Sequence, residues 1–176
     1  MHAVLFTRIV NKRNSMEIFM NSDDLIVSKT DLKGMITYGN EHFIKMSGYK
    51  ESELLHAPHN ILRHSDMPKI IFRLLWERIQ NKKHINAYVK NKTKNGDFYW
   101  VFANVTASVD VNNKIIGYYS VRRKPSEEGK KRIEHLYASL LQVERAGGVD
   151  ASLKLLNETL NHAGVNYDEY VINLQK

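Results

Sequence analysis

A chain of 176 residues, 43% of them apolar, has room for one buried core with appendages and is too apolar to be disordered throughout. It has no cysteine, which excludes disulfides, iron–sulfur ligation and thiolate catalysis. The net charge of +7 is uneven: residues 126–176 carry six Lys/Arg against eight Asp/Glu, which leaves +9 on residues 1–125 without the dense basic run or motif of a nucleic-acid binder.

Met1 to Val10 is fairly apolar, but Arg8 interrupts it and no small-residue cleavage site follows, so it reads as no signal peptide. No apolar run approaches the ~20 residues needed to cross a bilayer. The expectation is a cytoplasmic protein without direct membrane insertion. Residues 1–23 are expected to form a helical or loose N-terminal cap. Leu25 to Thr30 is short and β-branched and reads as a strand, and Asp31-Leu32-Lys33-Gly34 turns the chain into a second strand, Met35 to Tyr38. Asn40 is a good N-cap for a short helix through Phe43, Ile44 and Met46 that Gly48 ends. Glu51 to Leu55 is another helical turn. Short turns are expected through Pro58 to Met67. Pro68 is placed in the first turn of a long helix carrying Ile71, Leu75 and Ile79, with Phe72 and Trp76 beside them.

Three strands follow: His84 to Lys92, Asp97 to Asp110 and Lys114 to Arg123. Asn95-Gly96 predicts a two-residue hairpin between the first two. Ser126 caps a helix with the stripe Ile133, Leu136, Tyr137, Leu140 and Leu141. Gly147-Gly148 breaks it, Asp150 caps a second helix to His162, and Tyr167 to Leu174 is a third. The order predicts an α+β fold: a five-stranded antiparallel sheet with helices on one face, followed by C-terminal helices. The expected organisation is a cap at 1–23, a core domain at 24–124 and a helical extension at 125–176.

The densest polar block is His59, Asn60, Arg63, His64 and Asp66. Arginine and the histidines can offer donors to phosphate or ring carbonyl oxygens. The block reads equally well as a hydrogen-bonded loop with Asp66 as a helix cap. It holds no paired nucleophile and base, so no enzyme is expected. His56, His59 and His64 lack the spacing of a metal site, although one imidazole suffices to hold haem. Phe72 and Trp76, one turn apart, either flank a planar ligand or pack in the core. Trp100, Asn91 and Asn104 lie on strands, facing a ligand or water. No Gly-rich phosphate loop is present.

The stretch from about Asp24 to Lys124 resembles the PAS sensor domain of the Aer-type aerotaxis and energy-taxis sensors. The resemblance rests on Ser28-Lys29-Thr30-Asp31-Leu32, Tyr38-Gly39-Asn40, Ser47-Gly48-Tyr49, Pro58-His59-Asn60, Arg63-His64-Ser65-Asp66-Met67-Pro68, Val89-Lys90-Asn91 and Lys94-Asn95-Gly96-Asp97-Phe98-Tyr99-Trp100, in that order. It implies a PAS fold, non-covalently bound FAD and a redox-sensing role, with haem or a ligand-free interaction module as the alternatives. By motif match, Asn40, His59, Arg63, His64, Asp66, Phe72, Trp76 and Asn91 would line or support the flavin cavity. Without cysteine, a cysteinyl–flavin photoadduct is excluded. Two positions depart from the pattern: Ser65 stands where the family often has Pro, and Ile85 where it has Trp. The smaller Ile85 is expected to enlarge the cavity or weaken flavin binding. The resemblance further implies a membrane-bound chemotaxis transducer as partner, a possible homodimer, and the Ile133 to Leu140 stripe as the docking face or as packing on the sheet.

Overall fold

The computed structural model describes residues 15–176. The start of the expected N-terminal cap, and the Met1 to Val10 stretch, lie outside these residues. Among the described residues, β1 (Ile26–Thr30), β2 (Ile36–Gly39), β3 (Ile85–Lys92), β4 (Phe98–Val109) and β5 (Ile115–Arg123) form one antiparallel sheet in the order β2–β1–β5–β4–β3. First and last strands pair at its centre, so everything between β2 and β3 must arch over one face. That connection holds α1 (Glu41–Ser47), α2 (Glu51–Leu54), a 3-10 turn (His59–Leu62) and α3 (Lys69–Gln80).

Side chains alternate across each strand. Ile26, Ser28 and Thr30 of β1, Val89 and Asn91 of β3, Tyr99, Val101 and Ala103 of β4, and Tyr118, Ser120 and Arg122 of β5 share the inner face under the helices. Tyr88, Lys90, Trp100 and Phe102 take the outer face, where α4 (Glu127–Ala163) and α5 (Tyr167–Gln175) pack. The ring of Tyr88 meets that of Phe102 edge-on, and Trp100 lies 6.2 Å from Tyr137. Tyr137 donates to the carbonyl oxygen of Tyr88 at 2.9 Å.

Ile133, Tyr137 and Leu140 are therefore buried against the protein's own sheet. This corrects the docking-face reading of that stripe: apolar area so well matched at home is not on offer to a partner. Two local expectations also change. The β3–β4 turn is longer than a two-residue hairpin, because the Thr93 N–H donates to the Asp97 carbonyl and Gly96 takes φ +92° inside it. Pro68 precedes α3 as its N-cap and offers no side-chain acceptor.

The missing cap comes from far along the chain. Glu144 of α4 accepts from the Lys69 and Ile70 N–H groups at 3.1 and 3.3 Å. A carboxylate there satisfies otherwise orphan donors and complements the helix dipole. α4 then breaks at Gly148, which has φ +78° and ψ −175°. Beyond the break Asp150 reaches Arg73 of α3 at 2.7 Å, where a helix cap was expected of it, and Asp168 of α5 pairs with Arg78. Three acids of the C-terminal helices thus hold α3. Glu144→Ala is expected to lower stability by about 1 kcal/mol, the usual value of a lost cap, read as an earlier urea midpoint with unchanged slope.

Candidate functional site

Between α3 and the inner face lies a cavity of about 270 Å³. This is just under the ~300–1,000 Å³ of typical small-molecule sites. It suits one ring system, with the remainder of a larger ligand outside. Exposed Lys33 and Asn60 mark its open side.

α3 supplies the roof. Phe72, Leu75 and Trp76 point down because they recur at helical spacing on the face opposite Arg73 and Glu77. Trp76 lies edge-on to Tyr118 at 5.4 Å. Its indole crosses Gly34, where a Cβ would stand 3.3 Å from the ring; Gly34 also has φ +79°, so a side chain there is disfavoured twice over. Arg63 stacks on the Phe72 ring at 4.2 Å and donates to the Met67 carbonyl at 3.1 Å. Its backbone bridges to Asn91 on β3, which brings those two lining residues together. Burial lowers the Arg63 pKa, and Glu144 nearby opposes that shift.

The floor holds a polar cluster. His59, at the start of the 3-10 turn, stacks on Phe43 at 5.9 Å and turns Nε2 toward Ser28 Oγ at 3.1 Å and Arg122 Nη2 at 2.8 Å. Arg122 can only donate, so His59 Nε2 is the acceptor and the ring is neutral, with its proton on Nδ1. Burial first, then the charge of Arg122, pushes the His59 pKa down to about 3. His59 counts as half-buried by exposed area because its free side faces the cavity; protein surrounds the rest of the ring. Arg122 Nη1, Ser120 Oγ and the Tyr99 hydroxyl are buried without hydrogen-bond partners.

Of the eight residues that the motif match assigned to a flavin cavity, five line this one: His59, Arg63, Phe72, Trp76 and Asn91. Three do not. Asn40 caps α1 through Phe43 N–H at 3.0 Å and ties β1 to it through Val27 N–H and the Leu25 carbonyl. His64 accepts from the Asp66 N–H at 3.1 Å and meets Phe98 edge-on. Asp66 pairs with Lys90 at 2.7 Å, on the outer side of β3, and caps no helix. Trp100 and Asn104 belong to the outer face, where Asn104 donates to Asn86 at 3.0 Å. Ile85 is fully buried opposite Val105 and lies off the cavity wall. Arg122, Ser120 and Ser28 were not anticipated. The signal was present in Tyr118-Tyr119-Ser120-Val121-Arg122: every second residue faces inward, and two of those three are polar.

A sheet wound in this order, with short helices arched over a cavity, defines a PAS-type sensor domain. Residues 36–122 match the family described as the PAS fold, and the chain belongs to it. Its PAS domain is of the aerotaxis-receptor type. The chain is 42% identical to the Aerotaxis receptor of Escherichia coli over 118 residues, 67% of this chain and 23% of the relative. It is 25% identical over 97 residues to the Nitrogen fixation regulatory protein of Klebsiella pneumoniae, 55% of this chain and 20% of that protein. The chain therefore spans about a fifth of the length of the curated relatives it matches. Among solved structures, the PAS domain of a Colwellia psychrerythraea protein aligns with TM-score 0.53 at 19% identity, over 57% of this chain and 85% of that one. A Light-Oxygen-Voltage domain studied with a flavin analogue aligns with TM-score 0.55 at 20% identity, over 62% and 82%. Both support the fold.

Among the described residues no three His, Asp or Glu side chains gather to hold a metal, and no helix is long and apolar enough to cross a membrane.

Proposed function

We propose that this chain is a cytoplasmic redox or energy-state sensor that holds FAD in the cavity beneath α3 and signals to a separate membrane-bound chemotaxis transducer. The observation that carries the reading is the cavity itself. It is sized for one ring system, roofed by Phe72 and Trp76 with Tyr118 of β5 facing them, and floored by buried polar atoms that lack partners. A heteroaromatic ring with acceptors on one edge meets both demands. The flavin would supply the electron chemistry. The chain's own residues position it: His59, Arg63, Asn91 and Arg122 offer polar contacts, and the roof excludes water.

Haem fits less well. It needs a free imidazole nitrogen facing the cavity. His59 is the only lining histidine among the described residues, and its Nε2 is occupied by Arg122 and Ser28. The route for a signal runs through α3, which both roofs the cavity and is gripped by Glu144, Asp150 and Asp168. A shift of α3 on a change of ligand state would be felt by the C-terminal helices. The domain boundaries at 24–124 and 125–176, and a homodimer, belong to the same proposal.

The test is direct. Purified protein is expected to be yellow, with a band near 450 nm (roughly, from the flavin) that bleaches with dithionite. Trp76→Ala, checked for folding by circular dichroism, is expected to lose at least about tenfold in FAD affinity. A colourless protein that takes up no added FAD overturns the proposal.

A further inference from the structure

Arg122 is the only arginine on the cavity floor and is 4% exposed. Its Nη2 donates to Ser28 Oγ and His59 Nε2, each at 2.8 Å. Its Nη1 is buried with no partner, and so is the hydroxyl of Ser120 two residues back on the same strand face. No carboxylate pairs with it among the described residues. The Phe43 ring, 5.5 Å away, is its other neighbour of note.

A buried cation without a counter-charge is among the costliest things a fold can carry. Burial lowers the Arg122 pKa to about 10, so the charge persists at neutral pH. Support of the two neighbours does not require it. Ser28 Oγ and His59 Nε2 already stand 3.1 Å apart, and the hydroxyl can donate to the ring once Arg122 is gone. Of the three unpartnered donors in this cluster, Nη1 and the Ser120 hydroxyl belong to residues lining the cavity, and the Tyr99 hydroxyl does not.

We propose that Arg122 is the ligand-selecting residue of this cavity: with Ser120 it forms a corner that recognises an anionic or carbonyl-bearing edge, of a ring ligand or of a small free anion. The FAD form of this inference rests on the proposed function; the corner itself does not. The arrangement sacrifices stability in the empty protein for discrimination in the loaded one, because the penalty is relieved only when something negative or strongly accepting arrives.

The experiment uses the full chain stripped of ligand, with Arg122→Met and Arg122→Lys. Three readouts are taken: thermal midpoint, its response to sodium thiocyanate at constant ionic strength, and the FAD dissociation constant by fluorescence quenching. Arg122→Met is expected to raise the midpoint of the empty protein by about 2–4 °C, the shift that follows from ~1 kcal/mol in a chain of this size. Thiocyanate is expected to raise the midpoint of the parent and of Arg122→Lys, and not that of Arg122→Met. FAD affinity is expected to fall at least about tenfold in Arg122→Met and to recover partly in Arg122→Lys. A lowered midpoint in Arg122→Met, or FAD affinity equal to the parent's, overturns the inference. If the parent binds no FAD, the flavin reading fails, and the corner stands or falls on whether thiocyanate separates the parent from Arg122→Met.

Discussion

Acidification from pH 6.5 toward 3 is expected to destabilise the ligand-free protein, with His59 as a separable contributor. In the fold the ring stays neutral to about pH 3, because burial and Arg122 oppose its charge, whereas the unfolded ring protonates at its ordinary value near 6.5. Between those limits the unfolded state binds one proton more. Stability therefore drops as pH falls, by up to about 1.4 kcal/mol per unit. Above pH 6.5 both states are neutral and the contribution is flat. Below about 3 the folded ring protonates too and the loss levels off. Carboxylates add their own acid dependence, so the measurement is a difference. Urea unfolding of the parent and of His59→Gln across this range should show the gap between them changing with pH in that window alone. A gap independent of pH would mean that the ring titrates alike in both states. Bound ligand should deepen the effect by sealing the open side of His59 from water.

Gly129→Ala is expected to be the most damaging small substitution in the C-terminal helices. In an exposed helix the change would stabilise by up to about 1 kcal/mol. Here a Cβ would stand 2.1 Å from the Tyr88 hydroxyl, 2.3 Å from the Leu174 carbonyl oxygen and 2.9 Å from Ser126 Oγ. The tyrosine can rotate only at the expense of its packing on Phe102, and the carbonyl is backbone. A methyl group must push α5 off the start of α4, breaking the bond from the Ser126 hydroxyl to that same carbonyl. Destabilisation of about 3 kcal/mol is expected. Hydrogen exchange should show Tyr167 to Gln175 losing protection before the sheet does. Unchanged protection of α5 would contradict the packing described.

How far the sequence could be read follows from which forces are local. Strands and helices were legible because β-branched runs, caps and glycines act within a few residues: Asn40 caps α1 and Gly148 breaks α4 as their positions imply. The fold class was legible from element order, and its family from short motifs in fixed sequence. The site was legible only where periodicity aims a side chain, as for Phe72 and Trp76 on α3. His64 and Asp66 share a motif with Arg63, yet the chain turns between them, and Lys90 draws Asp66 to the other side of β3. No local rule reveals that ion pair across 24 residues. Arg122 was hidden by its neighbours. In Val121-Arg122-Arg123-Lys124 it looks like one more surface cation, and only strand parity with Tyr118 and Ser120 turns it inward. Glu144 was unpredictable for a related reason: the helix it caps lies some seventy residues earlier.

The segment between β2 and α3 has one more consequence, for self-association. Along the β2 margin, Ile36 exchanges backbone hydrogen bonds with His56 and Ala57, and Met35 bridges to Pro58. At the opposite margin, Asn91 bridges to Arg63, and the Lys90 N–H is met by the sulfur of Met67. A single length of chain thus hems both outer strands, the places where a sheet would otherwise recruit a foreign strand. Peeling it away would unmask two ragged borders at once and open a path to polymer growth.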